Sequence, residues 1–180
     1  MEATTILIGA IFLVIIMIAV IYNSLVNRRN QAKYASSCID VLLKKRYDLI
    51  PNLVETVKGY AAHERATFES VIQSRNKALS PSATWQDQQN LATATHSIFA
   101  LAESYPALRS DANFLMLQRQ LNECEEQISA ARRAYNASVM DYQNAIDMFP
   151  SSIIASIFHF TPMASYEATE VEKENVHVRF

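Results

Sequence analysis

Two kinds of hydrophobic pattern divide the chain. No charged residue occurs from 3 to 27, and residues 6–21 form an almost unbroken aliphatic run edged by Tyr22. At 1.5 Å per residue, about 20 residues cross a hydrocarbon core of roughly 30 Å, so one helix here is long enough to span a membrane. Further on, apolar residues recur three and four apart. The longest seam is Phe114, Leu117, Leu121, Cys124, Ile128, Ala131, Tyr135, Ser138, Tyr142, Ala145 and Phe149. It predicts a helix of about ten turns that packs in coiled-coil fashion. Ser110 or Asp111 can cap its first free amides, and Pro150 bars its continuation.

An earlier seam runs through Ile50, Val54, Val57, Ala61, Glu64, Phe68, Val71 and Ala78, with Ser80 and Pro81 marking a turn and a new helix start. Residues 84–104 read as a shorter helix ending at Tyr105 and Pro106. Residues 28–49 continue the apolar run as a helix with Tyr34, Cys38, Val41, Leu42 and Leu49 on one side. The expected fold is all-α: an N-terminal transmembrane helix followed by an elongated antiparallel helical bundle with long coiled-coil-like helices. Pro51 leaves one joint open. Ile50 before it has no side-chain acceptor to cap a new helix, which favours a kink in one long helix. Helix lengths favour a reversal, because about 58 Å for 111–149 pairs poorly with about 78 Å for 28–79. The domains read as a short external N-terminus and transmembrane helix at 1–27, a bundle at 28–149, a short apolar helix or plug at 150–163, and an acidic tail at 164–180. The tail is too polar and too short to build a core and is expected to be mobile.

Composition sharpens this reading. Two glycines and five prolines in 180 residues leave little material for turns, so the helices should be few and long. A net charge of −2 gives no basic excess for a phosphate backbone, and no nucleic-acid partner is expected. Cys38 and Cys124 stand far apart, without metal-finger spacing, and read as reduced thiols on inner seams. The flanks of the apolar run orient it. A cleaved signal peptide would want a basic stretch before the run and small residues at a cleavage site, whereas Glu2 precedes it and YNSLVNRRN follows it. Arg28, Arg29 and Lys33 come directly after the run, and basic flanks stay cytoplasmic, so the N-terminus should lie outside and residues 28–180 inside.

Chemistry is sparse. His63, His96, His159 and His177 are scattered; His177 alone lies three residues after a glutamate, Glu174, whereas di-iron bundles need two such pairs, so no metal site is expected. Gly9 and Gly59 cannot build a phosphate-cradling loop, and the serines lack a nucleophile elbow. No catalytic residue and no cofactor is assigned. Tyr135 and Tyr142 read as core filling, each hydroxyl reaching a polar partner.

Three stretches, YNSLVNRRNQAKYA, IDVLLKKRYDLIPNLVETVKGYAAHE and NFLMLQRQLNECEEQISAARRAYNASVMDYQNAIDMFP, resemble the LemA family of bacteria in the family's order. The likeness covers roughly residues 22–160. Ser36 stands where the family usually has an aromatic residue, Leu42 where it usually has Gln, and His159-Phe160 where it commonly has Gly-Phe. The resemblance implies a single-pass anchor with a small external N-terminus and a helical bundle on the other side. It implies the bacterial cytoplasmic membrane, carries membrane organisation as a theme, and brings no enzymatic chemistry.

Two features suggest contacts. Arg28, Arg29, Lys33, Lys44, Lys45 and Arg46 oppose a single acid, Asp40, in residues 28–46, and each such cation attracts anionic headgroups by about 1 kcal/mol near a surface. The alternative is that the first three set topology and the rest form a solvated face. Residues 150–163, with Ile153, Ile154, Ile157, Phe158 and Phe160, either plug the bundle end or face a partner or the bilayer. The expected function is a membrane-anchored helical scaffold, held in the bilayer through residues 3–27 and binding a protein partner or itself. The alternatives are a membrane-shaping or lipid-binding module, and a regulatory subunit of a membrane enzyme with a site built from residues such as Asp40, Glu64 and Arg75.

Overall fold

The computed structural model describes residues 2–166, and every regular element among them is a helix. They are α1 (Glu2–Lys58), α2 (Arg65–Ala78), α3 (Trp85–Ala102), α4 (Pro106–Arg109), α5 (Ala112–Asp147) and α6 (Ser151–Ile157). The chain divides into two compact units, one of residues 2–38 and 131–166, the other of residues 39–130 in its described part. Of the tail expected from 164, residues 167–180, including Glu167, Glu170, Glu172 and Glu174, lie outside the described residues.

The choice left open at Pro51 resolves as one continuous helix. Proline cannot donate to the carbonyl four residues back, which orphans the oxygen of Tyr47. Arg75 of α2 supplies the missing donor, its Nε–H reaching that oxygen at 2.9 Å. The break falls instead at residues 59–64, so the seam expected to run unbroken from Ile50 to Ala78 is two helices with a turn between them. Its residues are still buried where expected: Val57, Ala61, Phe68, Val71 and Ala78 all enter one core.

That core belongs to the second unit, where α2, α3 and α4 close over α1 and the first half of α5, joined by Leu91, Ile98, Leu108, Phe114 and Leu121. Bonds from Tyr60 to Asp111 and from Cys124 to the Leu42 carbonyl run in opposite chain order, so α1 and α5 are antiparallel here. Asp111 caps α5 as the sequence suggested, its Oδ1 accepting the Phe114 amide at 2.8 Å. The helix after the Ser80 turn begins at Trp85, not Pro81, because Thr84 and Asp87 form a reciprocal capping box there.

Two seams depart from expectation. On α1 the buried positions recur every seven residues, at Leu25, Ala32, Ile39, Arg46 and Leu53, with Ile50 and Val57 interleaved. Tyr34 and Val41, expected on one side with Cys38, Leu42 and Leu49, are 74% and 68% exposed. On α5 the expected seam holds through Ile128 and Tyr135, then moves to Val139, Tyr142 and Ile146; the helix ends at Asp147, so Phe149, expected as its last residue, lies in the turn beyond and is 80% exposed. A helix of 3.6 residues per turn drifts by about 20° per heptad, which carries the stripe off a strict three-four register.

Arg75→Met, which keeps the aliphatic stem but removes the donor to Tyr47, should destabilise the full chain in detergent by about 1–2 kcal/mol. In a Pro51→Ala background, where the helix supplies its own donor, denaturant unfolding should show less than about half of that cost. Equal costs in both backgrounds would contradict the pairing.

Candidate functional site

The first unit gathers the apolar run, part of the basic cluster and the apolar piece after α5. All sixteen residues from 2 to 17 are exposed, so no described part of the chain covers this segment of α1. It is the one described helix long and apolar enough to cross a membrane, and none of that window is buried within the protein. Cover begins where the run ends. Ile18 and Ile21 are half-buried and Leu25 fully buried against Tyr142, Ile146, Ile154 and Ala155. These pairings, with Cys38 beside Ala131 and Ala134 in one groove wall, make α1 and α5 antiparallel in this unit as well.

Helix α6 lies in a stretch with no Asp, Glu, Lys or Arg from 148 to 166. Its seven residues turn Ile154 and Ala155 inward, while Ile153 and Ile157, four apart on one face, remain 51% and 61% exposed. The helix ends in a Schellman motif: the Phe160 amide donates to the Ala155 carbonyl at 2.9 Å and the His159 amide to Ser156 at 3.3 Å. His159 occupies the left-handed position with φ 54°. That is the residue where the family commonly has glycine, and glycine alone takes this conformation without cost.

Beyond the cap the chain is tied to α1 and α5. The Phe158 and Phe160 rings lie 4.9 and 5.7 Å from that of Tyr22, and the Arg29 guanidinium sits 5.1 Å above the Phe160 ring. Tyr142 donates to the Thr161 carbonyl at 3.0 Å and Tyr135 to that of Ala164 at 2.7 Å. Both tyrosines are thus core residues with a bonded hydroxyl. Asn136 exchanges two hydrogen bonds of 2.9 Å with the Tyr166 backbone, so residues 164–166 of the expected tail are anchored. Of the five residues offered as a plug or a surface, Ile154 is buried and Phe160 half-buried, while Ile153, Ile157 and Phe158 are exposed. Met148 and Phe149, exposed in the α5–α6 turn, extend that surface. The same turn and α1 enclose a recess of about 410 Å³ into which Arg28, Asp141 and Ser151 contribute.

The six basic residues do not act as one patch. Arg28 and Lys33 are exposed and Arg29 half-buried in the first unit. Lys44 and Lys45 are exposed in the second, Lys44 paired with Asp48 at 3.3 Å. Arg46 must be withdrawn as a lipid contact, because it is only 3% exposed. Its Nη2 donates to the Gln88 Oε1 at 2.6 Å and to the Gln88 carbonyl at 3.2 Å. The single Tyr47 O–H is shared between the same Oε1 at 2.8 Å and the Ala78 carbonyl at 3.0 Å, and Gln88 Nε2 also reaches that carbonyl. Burial holds the Arg46 guanidinium below its ordinary pKa and pushes the Tyr47 phenol above its own. This network ties α1 to the end of α2 and the start of α3. It carries no reacting group aimed at a cavity.

The residues offered for a hidden site take separate partners. Asp40 is exposed, Glu64 accepts from Tyr105 at 3.2 Å, and Arg75 serves the Tyr47 carbonyl. His96 pairs with Glu125 at 3.2 Å, and among the described residues no group of three His, Cys, Asp or Glu could hold a metal. Cys124 is buried, its thiol pushed up by burial and donating to the Leu42 carbonyl at 3.3 Å.

A model of the LemA family matches residues 35–180. The chain belongs to the LemA family. Protein LemA of Metamycoplasma hominis is 24% identical over 158 residues, covering 86% of this chain and 72% of that protein. Magnetosome protein MamQ of Magnetospirillum gryphiswaldense is 23% identical, and MamQ 1 of Paramagnetospirillum magneticum 22%, each over 77% of this chain. The chain spans 62% of the length of these magnetosome proteins. With its exposed apolar helix, this LemA-family protein is membrane-associated.

His159→Gly should raise the stability of the LemA-family protein in detergent by about 1 kcal/mol, since it removes a side chain from a left-handed position. A lower thermal midpoint would show that the His159 side chain contributes more than its backbone costs.

Proposed function

We propose that this protein is a single-pass, membrane-anchored helical scaffold with its N-terminus outside and its bundle in the cytoplasm. One observation carries the reading: residues 3–17 are uncharged and mostly aliphatic, uncovered on every side, and continuous with the helix on which both units are built. A helix apolar all round is stable in hydrocarbon, where its backbone is satisfied internally and its side chains meet no water. Arg28, Arg29 and Lys33, just past the run, favour the cytoplasmic side for the bundle. Its role is to hold a helical surface at the bilayer for a protein partner or a second copy, with no catalytic step.

A reporter joined after Phe180 should be active only as a cytoplasmic enzyme, and cross-linking of the full chain in membranes should give a discrete higher-mass product. Activity of an exported reporter reverses the orientation, and a monomer under all cross-linking conditions counts against a scaffold.

A further inference from the structure

We propose that the α5–α6 corner is a second membrane contact, with the exposed face of α6 lying in the boundary between headgroups and acyl chains. The inference rests on the anchor reading above and adds a depth to it. A hydrocarbon core of roughly 30 Å takes about 20 residues of helix. The bare, uncharged part of α1, residues 3–17, supplies fifteen, roughly 22 Å at 1.5 Å per residue. The remaining turn or so is Ile18 to Tyr22, and this stretch is where the corner packs: Ile18 and Ile21 border the cluster that buries Ile154, and Tyr22 meets the rings of Phe158 and Phe160. The corner therefore shares the depth of the last turn of the span.

Its surface suits that depth. Met148, Phe149, Ile153, Ile157 and Phe158 are all exposed, in a stretch from 148 to 166 that holds no Asp, Glu, Lys or Arg. Water is a poor solvent for such a face, and an apolar surface continuous with a membrane span has the bilayer as its nearest cover. Tyr22, Phe158 and Phe160 make an aromatic group at the level where aromatic rings collect at membrane interfaces. Arg28 and Arg29 come within two turns on α1, Arg29 already stacked on Phe160, so cations stand at headgroup height beside the apolar face. Two contacts of one rigid corner, unlike a lone helix, would limit how far α1 can tilt.

The test uses the full chain with its only tryptophan removed, Trp85→Phe, in vesicles of phosphatidylethanolamine and phosphatidylglycerol with or without brominated acyl chains. Single tryptophans are introduced by Ile153→Trp, Ile157→Trp, Phe12→Trp and Tyr34→Trp. Circular dichroism verifies helicity for each variant, and either α6 position suffices if the other misfolds. The bromines should quench Phe12→Trp strongly, both α6 positions by roughly twofold or more, and Tyr34→Trp little. Quenching at Phe12→Trp with α6 positions matching Tyr34→Trp overturns the second contact and leaves the anchor standing. Unquenched but blue-shifted α6 tryptophans would assign the face to another protein surface and also overturn it. Failure at Phe12→Trp removes the anchor and the inference together.

Discussion

A helix that shows apolar side chains on every side cannot be satisfied by packing one stripe against a partner, and residues 6–17 of α1 are such a helix. In water this segment would expose Ile, Leu, Val, Phe and Met over its whole circumference; in hydrocarbon the same surface carries no penalty and the internal hydrogen bonds become obligatory. The anchor requirement passes down the chain because α1 does not end with it. One helix of 57 residues continues into both units, and its seven-residue repeat of buried positions gives α5 a stripe to pack against. What happens at residue 51 therefore matters to the whole. A helix through proline loses one bond, and here Arg75 restores the acceptor's partner from outside.

The second unit meets a different constraint, that of a cation placed inside. Arg46 occupies a seam position and pairs with no carboxylate among the described residues; two oxygens of Gln88 receive it instead. Breaking such an arrangement leaves a buried charge unsatisfied, so it specifies register more than it adds stability. Gln88 and Tyr47 share the Ala78 carbonyl at the end of α2, where helix geometry leaves oxygens without donors. One glutamine thus fixes where α2 stops and α3 begins against α1.

Much of the fold was legible. Helical class, the long apolar N-terminal helix, the Asp111 cap, the core membership of Phe68 and Val71, and the bonded hydroxyls of Tyr135 and Tyr142 come from periodicity and side-chain chemistry. What escaped had physical reasons. Tyr34 and Val41 share a helix side with Cys38 by spacing and yet stand exposed, while Ala32 and Arg46, small and charged, fill the seam. Strict heptad counting missed the shift to Val139 and Ile146 because helix and heptad periods differ, and Phe149 lies past the helix end at Asp147. Pairing of Arg75 with the Tyr47 carbonyl joins residues 28 apart, beyond any local rule. The site was half-legible: residues 150–163 stood out by composition, but a choice between plug and surface was false for a short helix that buries one side and bares the other. His159 carried a signal, a departure from a common glycine, whose meaning became plain only with its backbone angle.

The most direct measurement is the intact mass of the protein recovered from membranes washed at alkaline pH, which strips peripheral proteins and leaves spanning helices in place. A retained anchor gives the full 20.3 kDa chain in the membrane pellet. Release into the supernatant, or a mature chain lacking the first two dozen or so residues, would contradict it.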